Sequence, residues 1–257
     1  ITLKMKKMHT NLASLRKQRA LESKKFTLSE LINNLHGLCH ALNFLHSKKI
    51  PHCNIKPQNI LLDQSGKIYL TDCKPMAPKD LKKLDKSTGI GYLAPEILTI
   101  ADDLLPHKLL LSDVWSLGLV FLETCLLEML PIQANTPQSK MCNILNGALE
   151  KVEMIYGKEF RFLLQSMLQY ENNQRPSLEK LIEQIELKYS HLLIEKNYHK
   201  NSESLLKDIE DQKNKLPNYE KLDQQSSEDE DPGKHFQSLP DEEVAMKRAF
   251  GRNYLSL

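Results

Sequence analysis

The stretch from Asp113 to Met129 constrains this chain more than any other. It is apolar on nearly all sides, as a helix at the centre of a core must be. The wider run Val114 to Leu130 is interrupted by Glu123 and Glu128, so it reads as a buried helix and not as a membrane span. A chain of 257 residues is long enough to build a core around such a helix. An apolar fraction of 40% with 26% charged residues fits an ordinary globular protein. The net charge of +2 gives no support to nucleic acid or an anionic membrane as a partner.

Other elements follow from local pattern. Ile1 to Met5 alternates as a short strand would, a polar connection runs through His9, and Asn11 to Ala20 suggests a short helix. Thr27 with Glu30 three residues later makes a capping box. Leu28, Leu31, Ile32, Leu35, Leu38, Cys39, Leu42 and Leu45 then recur at helical spacing, which predicts a helix to about His46 with one buried face. Ile60-Leu61-Leu62 and Lys67-Ile68-Tyr69-Leu70 flank Asp63-Gln64-Ser65-Gly66, the chemistry of a short hairpin. Pro75 and Pro78 break regular structure, and an irregular segment runs on to Ala94-Pro95-Glu96. Helices are expected near Lys158 to Gln169 and from Ser177 onward, separated by the polar loop Glu171 to Pro176. The second is expected to be long, since Leu178, Leu181, Ile182, Ile185, Leu192 and Leu193 keep a helical stripe.

Five cysteines with no C-x-x-C pair fit reduced thiols better than a disulfide framework or a zinc site. No signal peptide opens the sequence, and a cytoplasmic location is expected. Ile1 is not a start methionine, so the chain is expected to be an excerpt of a longer product. From about Asn201 the composition shifts: Leu205, Leu206 and Ile209 form a weak helical patch, and Gln224 to Asp231 has an acidic, disordered signature. Ser238-Leu239-Pro240-Asp241 could cap a short helix carrying Val244, Met246, Ala249 and Phe250. The expected division is a folded domain over 1–190 and a C-terminal extension over 191–257.

The chemistry-bearing stretch is His52-Cys53-Asn54-Ile55-Lys56-Pro57-Gln58-Asn59, followed by Asp72-Cys73-Lys74. Ala94-Pro95-Glu96, Asp113-x-Trp115-x-x-Gly118 and Arg175-Pro176 come after it in order. Together, over roughly residues 1 to 190, these landmarks resemble the C-lobe of eukaryotic protein kinases. The resemblance implies an α+β, protein-kinase-like fold, mainly helical with a short β-hairpin. The given chain has no glycine-rich phosphate loop, Val-Ala-x-Lys strand or partner-glutamate helix, so the N-lobe is expected to be largely absent from it.

The resemblance also implies roles. Glu96 and Arg175 would form a buried, two-pronged ion pair. Asp113 would accept backbone N–H groups of the catalytic loop, and His52 would be a spine residue. Lys56 would contact the transferred phosphate, while Asn59 and Asp72 would be the Mg2+ ligands of bound ATP. The departures concern the chemistry. Asn54 stands where the family has its catalytic aspartate, and an amide cannot take the substrate hydroxyl's proton. Loss of a general base typically costs about 10²–10⁴-fold in rate. Cys53 replaces the arginine that reads an activation-segment phosphate, Cys73 and Lys74 replace Phe-Gly, and Gly89 lies where the family has threonine, with Thr88 next to it.

The expectation is therefore a catalytically impaired, pseudokinase-like domain that docks or scaffolds protein partners, with the C-terminal extension contributing contacts. On that reading no cofactor is required, though Asn59 and Asp72 leave ATP and Mg2+ open. Neither nucleic acid nor membrane is expected as a partner, and recruitment to a cytoskeletal assembly has no residue-level argument. The alternatives are an active or slow serine/threonine kinase with an atypical catalytic loop, and a nucleotide-binding switch.

Overall fold

A computed structural model describes residues 8–73, 90–98, 106–133, 136–193 and 255–256. Their order is β1 (Thr10–Asn11), α1 (Leu12–Leu21), α2 (Leu28–Ser47), β2 (Ile60–Leu62), β3 (Ile68–Leu70), α3 (Pro95–Leu98), α4 (Pro106–Leu126), α5 (Gln138–Tyr156), α6 (Lys158–Met167), α7 (Leu178–Tyr189) and β4 (Leu255–Ser256). The chain divides into two units, one of Ile1–Glu195 with Arg252–Leu257 and one of Lys196–Gly251. The second lies outside the described residues, as do the expected strand at Ile1 to Met5, the acidic run and the helix after Ser238.

The central helix is α4, shifted from the expected span: it starts at Pro106, before Asp113, and ends at Leu126, short of Met129. The stop has a local cause. Leu127 takes a left-handed backbone (φ 60°), and the Glu123 carboxylate accepts the N–H of Leu130, turning the chain back on the helix. Val114, Trp115, Leu117, Val120, Phe121, Leu122 and Cys125 are all buried. Lys108–Leu126 is long and apolar enough to cross a membrane, but 89% of its most apolar window lies inside the fold.

Around α4 pack α5, α6 and α2. The approach of α6 is tight at Gly118, where an added Cβ would meet the Met167 Cβ at 3.0 Å and Leu168 at 3.1 Å. The helix α5 is an addition to the expected elements. Its buried Met141, Leu145, Ala148, Leu149 and Val152 recur at helical spacing and form its inner face.

The Thr27–Glu30 capping box opens α2 with both reciprocal bonds present. Asn11 caps α1 by accepting the Ser14 N–H at 2.9 Å, so α1 begins one residue later than expected. The helix α7 packs along α2 but ends at Tyr189, and the expected long stripe is not continuous. Ser190–Leu192 forms a 3₁₀ turn instead, and the Leu192 carbonyl accepts from Asn33 Nδ2 of α2 at 2.8 Å. Bonding to the neighbouring helix thus replaces continuation of α7.

The hairpin pairs β2 with β3 antiparallel, Leu61 opposite Tyr69. Asp63 organises its turn: Oδ1 accepts from the N–H groups of Ser65 and Lys67, and Oδ2 accepts from the Tyr69 hydroxyl. Gly66, at φ +77°, supplies the left-handed turn residue. The hairpin is part of a larger sheet in the order β1-β2-β3-β4. Thr10 of β1 sits opposite Leu62.

Candidate active site

The loop between α2 and β2 is held chiefly through its backbone. Asp113, nearly fully buried in α4, accepts the His52 N–H at 2.6 Å and the Cys53 N–H at 2.9 Å. His46, in the last turn of α2, meets the same carboxylate through Nε2 at 2.9 Å. One side chain thereby fastens three pieces of chain. Cys53 sits in the left-handed region (φ 59°), a conformation that costs a non-glycine residue about 1–3 kcal/mol and persists only when its surroundings enforce it.

His52 is fully buried. Its Nδ1 accepts the Asn54 N–H at 3.2 Å, which fixes the neutral ring as the tautomer carrying hydrogen on Nε2. Burial pushes the imidazole pKa down, against the pull of Asp113, and favours this neutral form.

The sequence-predicted residues Asn54, Asn59 and Asp72 come together at the mouth of the hairpin. Asn54 Nδ2 donates to Asp72 Oδ2 at 2.8 Å and to the Asp72 carbonyl at 3.0 Å. Asn59, itself buried, donates from Nδ2 to the Asn54 carbonyl at 2.8 Å, and its own carbonyl accepts the Thr71 N–H. Asp72 has φ 60°, a second left-handed residue facing the loop. Lys56 precedes the Pro57–Asn59 turn in an extended conformation and is partly exposed, in the same segment. The Cys73 thiol meets the Pro51 carbonyl, and burial pushes its pKa up, aided by the charges of Asp113 and Asp72. It therefore stays neutral. Lys74, Thr88 and Gly89 lie outside the described residues.

Glu96 and Arg175 meet in a two-pronged pair, Nη1 to Oε1 at 2.7 Å and Nη2 to Oε2 at 2.8 Å. The guanidinium also donates to the carbonyls of Gln169, Tyr170 and Leu111 and lies 5.0 Å from the Trp115 ring centre. All five of its N–H groups are thus used, which is what a fully buried arginine requires. Ser112 adds a bond to Glu96 Oε1 at 2.7 Å.

A second buried charge cluster was not anticipated. Glu123 accepts from Arg16 at 2.6 Å and from the Tyr92 hydroxyl at 2.6 Å, and Ser116 donates to the Tyr92 carbonyl at 2.7 Å. Burial opposes the Arg16 charge, but the Glu123 carboxylate outweighs it and holds the pKa above its ordinary value. The sequence signal was present in Glu123 itself, a carboxylate inside an otherwise apolar helix that must find a partner. His46 gave no signal beyond its place at the helix end.

A family model described as "Protein kinase domain" matches residues 2–185 of the chain. The chain belongs to the protein kinase family. Its relatives include "Probable serine/threonine-protein kinase nek3" of Dictyostelium discoideum, 31% identical over 65% of this chain and 15% of that protein. "Serine/threonine-protein kinase Nek3" of Mus musculus is 28% identical over 63% of this chain and 31% of that protein. "Kinase suppressor of Ras B" of Caenorhabditis elegans is 31% identical over 58% and 31%, respectively. The chain matches between about a seventh and a third of these relatives' own lengths.

Membership implies Mg2+ and ATP, and the donor set can be tested against them. With Asn59 Nδ2 committed to the Asn54 carbonyl, the amide atom left to meet a cation is Oδ1. Asp72 adds a carboxylate. Hard oxygen donors of this kind suit Mg2+ completed by phosphate oxygens. The oxygen atoms of Asn59 and Asp72 therefore fit the ion, while the Asn54 amide, which donates to Asp72, is a neutral group with no basic atom.

Proposed function

We propose that this kinase domain is catalytically impaired and serves as a docking or scaffolding module for protein partners. The observation that supports the reading is the Asn54–Asp72 hydrogen bond. A kinase needs a carboxylate at the position of Asn54 to orient and deprotonate the substrate hydroxyl. Here a neutral amide holds the neighbouring acidic side chain as a donor and has no basic atom to offer. The groups that maintain shape, by contrast, are complete: the Asp113 hub and the Glu96–Arg175 pair are each joined by two or more protein hydrogen bonds. A fold with a retained frame and a changed base position is suited to recognition.

Asn59 and Asp72 favour a second reading, in which the domain binds Mg-ATP as a switch and transfers phosphate slowly or not at all. When bound, ATP and Mg2+ would supply ligand-dependent rigidity, with Asn59, Asp72 and Lys56 as the holding residues. The C-terminal extension is proposed to contribute partner contacts, on its acidic run Gln224 to Asp231, and a cytoplasmic setting is proposed on the reduced-thiol pattern of the five cysteines, with neither nucleic acid nor membrane as the partner.

The deciding experiment is phosphotransfer by the full-length protein with Mg-ATP, compared with an Asp72→Ala variant. The expected result is no turnover that depends on Asp72. Magnesium-dependent turnover that the variant loses would overturn the scaffold reading. Thermal melting with and without Mg-ATP separates the two readings, since ligand at about 100 times its dissociation constant stabilises by roughly 2.7 kcal/mol.

A further inference from the structure

His36 and His40 stand four residues apart on α2 and so share one face of the helix. Glu186 on α7 reaches that face. His36 Nε2 lies 3.0 Å from Glu186 Oε1 and 3.1 Å from His40 Nε2, and His40 Nε2 lies 3.8 Å from the same carboxylate oxygen. The two rings meet edge to face, 86° apart.

These contacts conflict as ordinary hydrogen bonds. A ring nitrogen carries either one hydrogen or one lone pair, directed along a single line in the ring plane. As a donor, His36 Nε2 can point its hydrogen at Glu186, and His40 Nε2 then faces a nitrogen already engaged. As an acceptor, it can receive from His40, and its lone pair then stands beside a carboxylate oxygen. A cation placed among the three atoms satisfies all of them together.

We propose that His36, His40 and Glu186 form a zinc site that ties α2 to α7. The three atoms lie on a circle of radius about 2 Å, so an ion at zinc's bond lengths of about 2.0–2.2 Å to each would stand up to about 1 Å out of their plane, on the side where a fourth ligand can enter. Two imidazoles and a carboxylate are a borderline donor set that suits zinc and disfavours Mg2+ or Ca2+. His36 is buried, whereas the His40 side chain is 31% exposed and that of Glu186 51% exposed. The ion would thus be held from the protein side and open to water for its fourth ligand. The site is separate from the Asn54, Asn59 and Asp72 cluster and does not depend on how that cluster is read.

The test is zinc uptake by the full chain stripped with chelator, measured by competition with a chromophoric chelator, alongside Co2+ as a spectroscopic stand-in. His40→Ala and Glu186→Gln each remove one proposed ligand, and the metal-free melt of each variant is the baseline from which its zinc-dependent rise is read. The wild type should bind one zinc at this site, take up Co2+ with the strong visible bands of tetrahedral coordination, and melt at a higher temperature with zinc. Each variant should bind at least roughly tenfold more weakly and lose the zinc-dependent rise in melting temperature. Equal affinity in the wild type and both variants would assign the uptake to other histidines and overturn the proposal. Absence of tetrahedral Co2+ bands in the wild type would do the same.

Discussion

Asn54 and Asp72 are joined by a hydrogen bond from amide to carboxylate, Nδ2 to Oδ2 at 2.8 Å. An aspartate at position 54 would face Asp72 with a second negative charge at that distance, and a cation would be needed between them. Asn54→Asp is therefore expected to destabilise the metal-free domain by about 1–3 kcal/mol, the scale of a lost hydrogen bond to a charged group. Added Mg-ATP should recover part of the loss. Denaturant melts of both proteins with and without Mg-ATP provide the measurement; an unchanged midpoint in the metal-free variant would show that this bond does not carry the loop.

Removing Arg175 leaves Glu96 beneath α4 without its two-pronged partner and frees three carbonyls. Arg175→Ala should cost about 3–5 kcal/mol, as expected for breaking one side of a buried pair. Arg175→Lys should recover little, because an ammonium cannot reproduce the fork. Equilibrium unfolding in urea reads both values.

At Gly118 the helices α4 and α6 approach tightly. Alanine usually gains up to about 1 kcal/mol over glycine inside a helix. Here its Cβ would meet the backbone-anchored Cβ of Met167 at 3.0 Å. Gly118→Ala is expected to be net destabilising by about 1–3 kcal/mol, and Gly118→Val by more. A stabilised alanine variant would mean that α6 can shift at little cost.

The buried His52 should make stability depend on pH. Its folded pKa lies below the ordinary value, so the unfolded chain binds the extra proton first as pH falls. Stability from this group is full above about pH 6.5 and is lost toward lower pH, with a slope of at most about 1.4 kcal/mol per pH unit. The slope continues down to the depressed folded pKa. Melting temperatures of the wild type and His52→Phe between pH 7.5 and 5.5 should diverge in slope. Parallel curves would remove His52 as the cause.

Much of the local architecture was legible because its causes are local. Thr27 and Glu30 announce α2 by mutual bonding three residues apart, and Asp63 and Gly66 mark the hairpin turn in the same way. The ends of α4 and α7 were not legible, because each is set by a side-chain bond, one local and one across the fold, that apolar spacing does not announce. Glu123 draws Leu130 back, and Asn33, 159 positions away, captures Leu192. The helix α5 is a different case, since its apolar spacing was available in the sequence. At the candidate site, motif order located Asn54, Asn59 and Asp72. Their mutual hydrogen bonds depend on amide orientation, which no spacing encodes. The Arg16–Glu123–Tyr92 cluster joins residues 107 and 31 positions apart, and only the need of Glu123 for partners was visible.

Asp113 grips the loop by the main-chain N–H groups of residues 52 and 53, atoms that every amino acid except proline possesses. The anchor itself consequently makes no use of the side chains, and the one local demand is a residue that tolerates the left-handed backbone at position 53. A sequence can drift at position 53 while the loop keeps its outline, much as a picture can be changed in an unchanged frame. Outline and chemical competence are thereby separable properties of this loop. Superposition of its backbone on that of any active relative would give no measure of whether it can still move a proton.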